Sequence, residues 1–222
     1  MAFEKIKSQY QPDSFIDKNW CKADKFISRL TFGQDFPRSK HAQVMHFHRA
    51  GTRFLESILF GACGYQATNH LGPAADEEIN SKTDQLLDNL RPDIFINYRS
   101  DWWGHATSSI IGFFYGYHHC DTEPDWNKFK PIKIDKAHMD QVLHEAKSIW
   151  NYLCGLRTRF ADLNFYIIEF NDLIKYQSLT DHTKLKYDKR VLISNYDQAK
   201  QNFYDQYQES LVKHQNTALR HL

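Results

Sequence analysis

The stretch VMHFHRAGTRFLESILFG, residues 44–61, constrains the fold more than any other part of the chain. It opens as a buried strand over residues 42–48 and breaks at Arg49-Ala50-Gly51-Thr52. It resumes as an apolar helix over residues 52–63, with Phe54, Leu55, Ile58 and Leu59 at helical spacing. Gly61 and Gly64 are its stop signals. A strand that runs through a tight turn into a helix is the opening of a strand–helix–strand unit.

The alternation continues downstream. A helix over residues 84–90 is broken at Arg91-Pro92, and the apolar run 93–98 predicts a short buried strand that ends at Arg99. Residues 102–117 predict a helix and 120–133 a loop. Residues 137–159 predict a long amphipathic helix, with Val142, Leu143, Ala146, Ile149, Trp150 and Leu153 on one face. A third strand over 164–170, a helix start over 172–177 and a mostly helical segment over 189–214 follow. This order predicts an α/β fold with a mainly parallel sheet. Residues 1–40, with Phe15-Ile16 and Phe26-Ile27 as anchors, predict an N-terminal arm packed on a single domain spanning residues 1–222.

Charge narrows the function. Lys plus Arg number 28 and Asp plus Glu 27, so no general nucleic-acid or anionic-membrane surface is expected. Cys21, Cys63, Cys120 and Cys154 form no CxxC pair, and the opening MAFEKIKSQYQ has no apolar signal core. The longest apolar stretch, residues 110–117, is too short to span a bilayer. A soluble, reduced, cytoplasmic protein is expected.

The turn itself points to an anion. A strand-to-helix turn offers backbone N–H groups and the positive end of a helix dipole. Gly51 lets the backbone approach a ligand, Thr52 can cap the helix and donate a hydroxyl, and Arg49 and Arg53 carry fork-shaped charge suited to phosphate or sulfate oxygens. The turn lacks the lysine and the length of a GxxxxGK[ST] loop.

RAGTRFLESIL resembles the 5′-phosphosulfate-binding loop of the sulfotransferases that use 3′-phosphoadenosine 5′-phosphosulfate (PAPS). Arg49, Ala50, Gly51, Thr52, Phe54 and Leu55 fall on that pattern, and Arg53 stands where a Thr or Ser is usual. DIFINYRSDWWGHATSS resembles the family's second signature, a strand ending in Arg followed by a helix serine. Arg99 takes the arginine position and Thr107 the serine position, with Ser108 one further on; Asp101 replaces a frequent proline. FYIIEFNDLI resembles the family's late strand and turn. The likeness covers residues 44–174 and is closer to the Golgi-type and bacterial branch, without the cytosolic branch's C-terminal glycine-rich motif.

The resemblance implies a three-layer, P-loop-like sulfotransferase architecture with PAPS as donor and no metal. Arg49, Ala50, Gly51, Thr52, Arg53 and Phe54 would hold the 5′ end, and Arg99 with Thr107 or Ser108 the 3′-phosphate. Trp102 and Trp103 are candidates to stack on adenine. The acceptor would be a small molecule or glycan carrying a hydroxyl or amine. Arg49 would stabilise the leaving phosphate by charge. The acceptor needs a base near neutral pKa; His70 is the first candidate and His48 the second, with Glu56 and His105 in reserve. Residues 65–82 and 118–135 are expected to shape the acceptor pocket. His118-His119-Cys120-Asp121 lacks structural zinc spacing. Two other readings stay open: a P-loop-type small-molecule or nucleotide kinase, and an inactive sulfotransferase-like binding protein.

Overall fold

The computed structural model describes residues 41–47, 49–67, 77–115, 125–179 and 188–222. These fall into two compact units. The first holds His41–His46, Ala50–Tyr98 and Phe160–Leu179; the second holds Phe47, Arg49, Arg99–Arg159 and Asp188–Leu222.

The first unit is built on four parallel strands in the order β2-β1-β3-β4: β1 (His41–His46), β2 (Gln66–Ala67), β3 (Asp93–Tyr98) and β4 (Phe165–Glu169). Met45 pairs with Ile96, His46 with Asn97, and Tyr98 with Glu169. Central β3 is buried over its first five residues, whereas edge strand β4 alternates between half-buried and buried positions. That contrast is what a strand covered on both faces and a half-covered strand should show. The strand positions match the sequence expectation to within two residues, and the two-residue β2 is an addition to it.

After β1, α1 (Thr52–Glu56) runs into a π-helical segment, Ser57–Ala62. The single apolar helix expected over 52–63 thus changes its winding halfway. Its Phe54, Leu55, Ile58 and Leu59 join Val44, Phe95, Ile168 and Leu173 in one core. Helix α2 (Glu77–Leu90) begins seven residues before the expected start, and ends at a left-handed Arg91 followed by Pro92, with Arg91 paired to Asp162. A short α5 (Phe170–Ile174) follows β4 directly.

The second unit is mainly helical among its described residues, with α3 (Trp102–Tyr115), α4 (Lys136–Arg159), α6 (Lys189–Leu192), α7 (Tyr196–Gln206) and α8 (Gln208–His221), and an isolated parallel bridge pairs Ile132 with Ile193. Phe47 packs its ring 4.6 Å from Trp150 and edge-on to Trp102. Asn195 holds the chain ahead of α4 with both ends of its amide, donating to the Ile134 carbonyl at 2.7 Å and accepting from the Ile134 N–H at 2.9 Å. The helical segment expected over 189–214 is three helices, broken at residues 193–195 and at Tyr207. No described helix is long and apolar enough to cross a membrane.

Candidate functional site

In the first unit the carboxyl ends of β1, β3 and β4 share one edge of the sheet. The order β2-β1-β3-β4 sends the chain to one side after β1 and to the other after β3, so the topological switch point lies between these two strands. Ligands of open α/β sheets sit outside the carboxyl ends of the strands at such a point. The turn Ala50-Gly51-Thr52 follows β1 there.

Gly51 is the N-cap of α1, with φ 82° and ψ 31°, in the left-handed region. Thr52 is the first residue of the helix that follows. A left-handed residue followed by a right-handed one turns successive backbone N–H groups into a common concavity, here those of Gly51, Thr52 and Arg53. The glycine is required twice over. A side chain strains at this φ, and a Cβ would run into the ring of Phe170. Ala50 is fully buried, and its carbonyl accepts from Asn97 Nδ2 at 2.8 Å.

Thr52 does not cap the helix as the sequence led us to expect. It occupies the first helical turn, and no side chain caps Gly51. Thr52 is half-buried, Arg53 is exposed, and Phe54 is turned into the apolar core with Leu55. Glu56 is half-buried on α1. Arg49 belongs to the second unit and is left-handed too, with φ 63°, a conformation that costs a residue with a side chain about 1–2 kcal/mol.

The second unit gathers Arg99, Asp101, Gly104 and Thr107 around the start of α3. Asp101 precedes the helix and accepts from the Gly104 N–H at 2.8 Å, the contact of a helix cap. Its other oxygen lies 3.5 Å from Arg99 Nη2, so the Arg99 charge already has a carboxylate beside it. A Cβ on Gly104 would meet both Asp101 and Arg99. Asp101 thus caps the start of α3 and sets a carboxylate beside the Arg99 guanidinium.

Thr107 and Ser108 are both buried. Thr107 donates its hydroxyl to the Trp103 carbonyl at 2.8 Å and accepts from Lys189 Nζ at 2.6 Å. Lys189 also donates to the Gly104 carbonyl at 2.7 Å. The hydroxyl expected to meet a phosphate accepts from a lysine of α6, a residue the sequence did not single out. Trp102 and Trp103 are core residues, not stacking platforms. Trp102 lies edge-on to His105, and Trp103 packs on Phe203 and donates to the Tyr196 hydroxyl at 3.0 Å. His105 is buried beside Phe47.

His70 and His48 lie outside the described residues, as do residues 1–40 and the His118-His119-Cys120-Asp121 run. His46 closes β1. Among the described residues no group of three His, Cys, Asp or Glu could hold a metal ion. At the carboxyl end of β3, Tyr98 has its phenol pushed above the usual range by burial and then by the Glu169 and Asp172 carboxylates. Compared with family models, with curated proteins and with solved structures, the chain matches none.

Proposed function

We propose that the chain is a PAPS-dependent sulfotransferase of three-layer, P-loop-like architecture, acting on a hydroxyl or amine acceptor. The observation that carries this reading is the left-handed Gly51 at the switch point of a parallel sheet, a backbone turn that directs neighbouring N–H groups toward a common concavity. A sulfate or phosphate oxygen fits such a cradle by charge and by donor direction. Arg49 and Thr52 flank it in sequence. In the second unit, Arg99 beside Asp101 and Lys189 beside Thr107 are cations of a kind that suits a phosphate.

PAPS, when bound, supplies an activated sulfuryl group whose bond to the 5′-phosphate breaks as the acceptor oxygen or nitrogen attacks sulfur. The N–H groups at Gly51 and Thr52 would hold the phosphosulfate and, with Arg49, offset charge on the leaving phosphate oxygen. A histidine, His70 or His48, would accept the acceptor's proton.

The test is calorimetric titration with 3′-phosphoadenosine 5′-phosphate and, separately, ATP with Mg²⁺. The proposal expects the first to bind, and Arg49→Ala or Arg99→Ala to weaken it by about 1.5–3 kcal/mol each, the worth of a charged hydrogen bond. Binding of ATP alone would overturn it in favour of a kinase. Binding without transfer of labelled sulfate to any of a broad acceptor panel would identify a non-catalytic binding protein.

A further inference from the structure

Asn97 is fully buried in β3 after the apolar run Ile94-Phe95-Ile96. An amide is a poor residue for that place, because each of its polar atoms must be taken out of water. Asn97 Nδ2 donates to the Ala50 carbonyl at 2.8 Å, while Oδ1 accepts no hydrogen bond from any described residue. The amide cannot be turned over to improve this, since Oδ1 would then face the Ala50 oxygen. The strand therefore keeps a buried polar side chain for one contact, made to the residue just ahead of the cradle.

That contact has a stereochemical consequence. The Ala50 carbonyl and the Gly51 N–H belong to one planar trans peptide and point in opposite directions. Fixing the carbonyl on Asn97 therefore aims the Gly51 N–H away from the strand. The Phe170 ring closes off the space that a side chain at residue 51 would use, so the peptide is held from two directions.

We propose that Asn97 is a positioning residue, which locks the Ala50–Gly51 peptide so that the Gly51 N–H is preset toward a phosphate or sulfate oxygen. This rests on the anion-binding reading of the turn.

Two measurements separate the lock from the ligand. Asn97→Leu removes the donor and the buried acceptor together; Asn97→Ser is the milder variant should leucine not fold. In the ligand-free protein, backbone 15N order parameters at Gly51 and Thr52 should fall from a rigid value of about 0.85 to below about 0.6 in either variant, with those in β3 and β4 unchanged. Calorimetry with 3′-phosphoadenosine 5′-phosphate should show affinity falling at least tenfold while the thermal midpoint stays within a few degrees of the wild type. Unchanged order at Gly51, or wild-type affinity in a variant whose Gly51 has loosened, overturns the positioning role. A loosened Gly51 in a protein whose wild type does not bind the nucleotide overturns the anion reading and leaves the lock standing as a structural contact only.

Discussion

Lys189 Nζ stands 2.6 Å from Thr107 Oγ1, across 82 residues of sequence. The contact sets an ammonium against the hydroxyl that the proposed function would give to a phosphate. Lys189→Met keeps the stem and removes the charge. It should weaken 3′-phosphoadenosine 5′-phosphate by about 1.5–3 kcal/mol in a calorimetric titration. Thr107→Val should lower unfolding stability in urea by about 1 kcal/mol, because Lys189 loses an acceptor at a fully buried site. Unaltered affinity in Lys189→Met would return that lysine to a purely structural tie between α6 and α3.

Gly51 is held by its own backbone angle and by the ring beside it. Gly51→Ala should destabilise the protein by more than the about 1–2 kcal/mol expected for a left-handed alanine alone, since the methyl also meets Phe170. Phe170→Leu opens space at that face. The double variant should therefore be more stable than the sum of the two single changes predicts, which urea unfolding of all four proteins would reveal. Strict additivity would mean that ring and glycine are not in steric conflict.

Asp93 tests the opposite edge of the sheet. It is buried at the start of β3, accepting from the Tyr65 hydroxyl at 2.8 Å and from Asn164 Nδ2 at 2.8 Å. Asp93→Ala removes the acceptor of both bonds at a buried site and should cost about 2–4 kcal/mol of unfolding stability. On the proposed function it should leave nucleotide affinity unaltered, because Asp93 lies at the amino edge and the proposed anion site at the carboxyl edge. A folded Asp93→Ala protein with lost affinity would break that division.

The parts of this fold that the sequence revealed are the ones whose residues bury themselves. β1 and β3 stand out because Val44-Met45 and Ile94-Phe95-Ile96 are continuous apolar runs, and a covered parallel strand needs nothing else. β2 was invisible: Gln66-Ala67 carries no pattern and owes its assignment to pairing with His41 and Ala42. The first half of α2, Glu77 to Thr83, is too polar for periodicity to mark it. Gly51 was legible because only a local backbone need places glycine between Ala50 and Thr52. Lys189 was not, since its partners Gly104 and Thr107 meet it only once α3 and α6 are folded. Asn97 had a signal that could have been followed, a lone amide directly after the apolar run Ile94-Phe95-Ile96.

Acid should weaken the start of α4. Asp135 has its carboxyl held below the usual range, chiefly by the His138 backbone N–H, which donates to it at 3.1 Å. Asp140 is lowered by the Lys136 ammonium at 2.6 Å and then by the Tyr207 hydroxyl at 2.8 Å. A carboxyl with a depressed folded-state pKa adds stability above its unfolded value, about 3.9, and loses it as pH falls through the lower folded value. The urea midpoint should therefore be insensitive to these two groups from pH 7 down to about 5, and should drop below about 4. Both carboxyls are exposed to solvent, so high salt should shrink the Asp140 share by screening. Asp135→Asn keeps a capping side chain without the titration, and Asp140→Asn removes the ion pair. Each should flatten the acid limb of the midpoint curve and lower its neutral plateau. An acid limb of wild-type steepness in the double variant would place the acid sensitivity elsewhere in the chain.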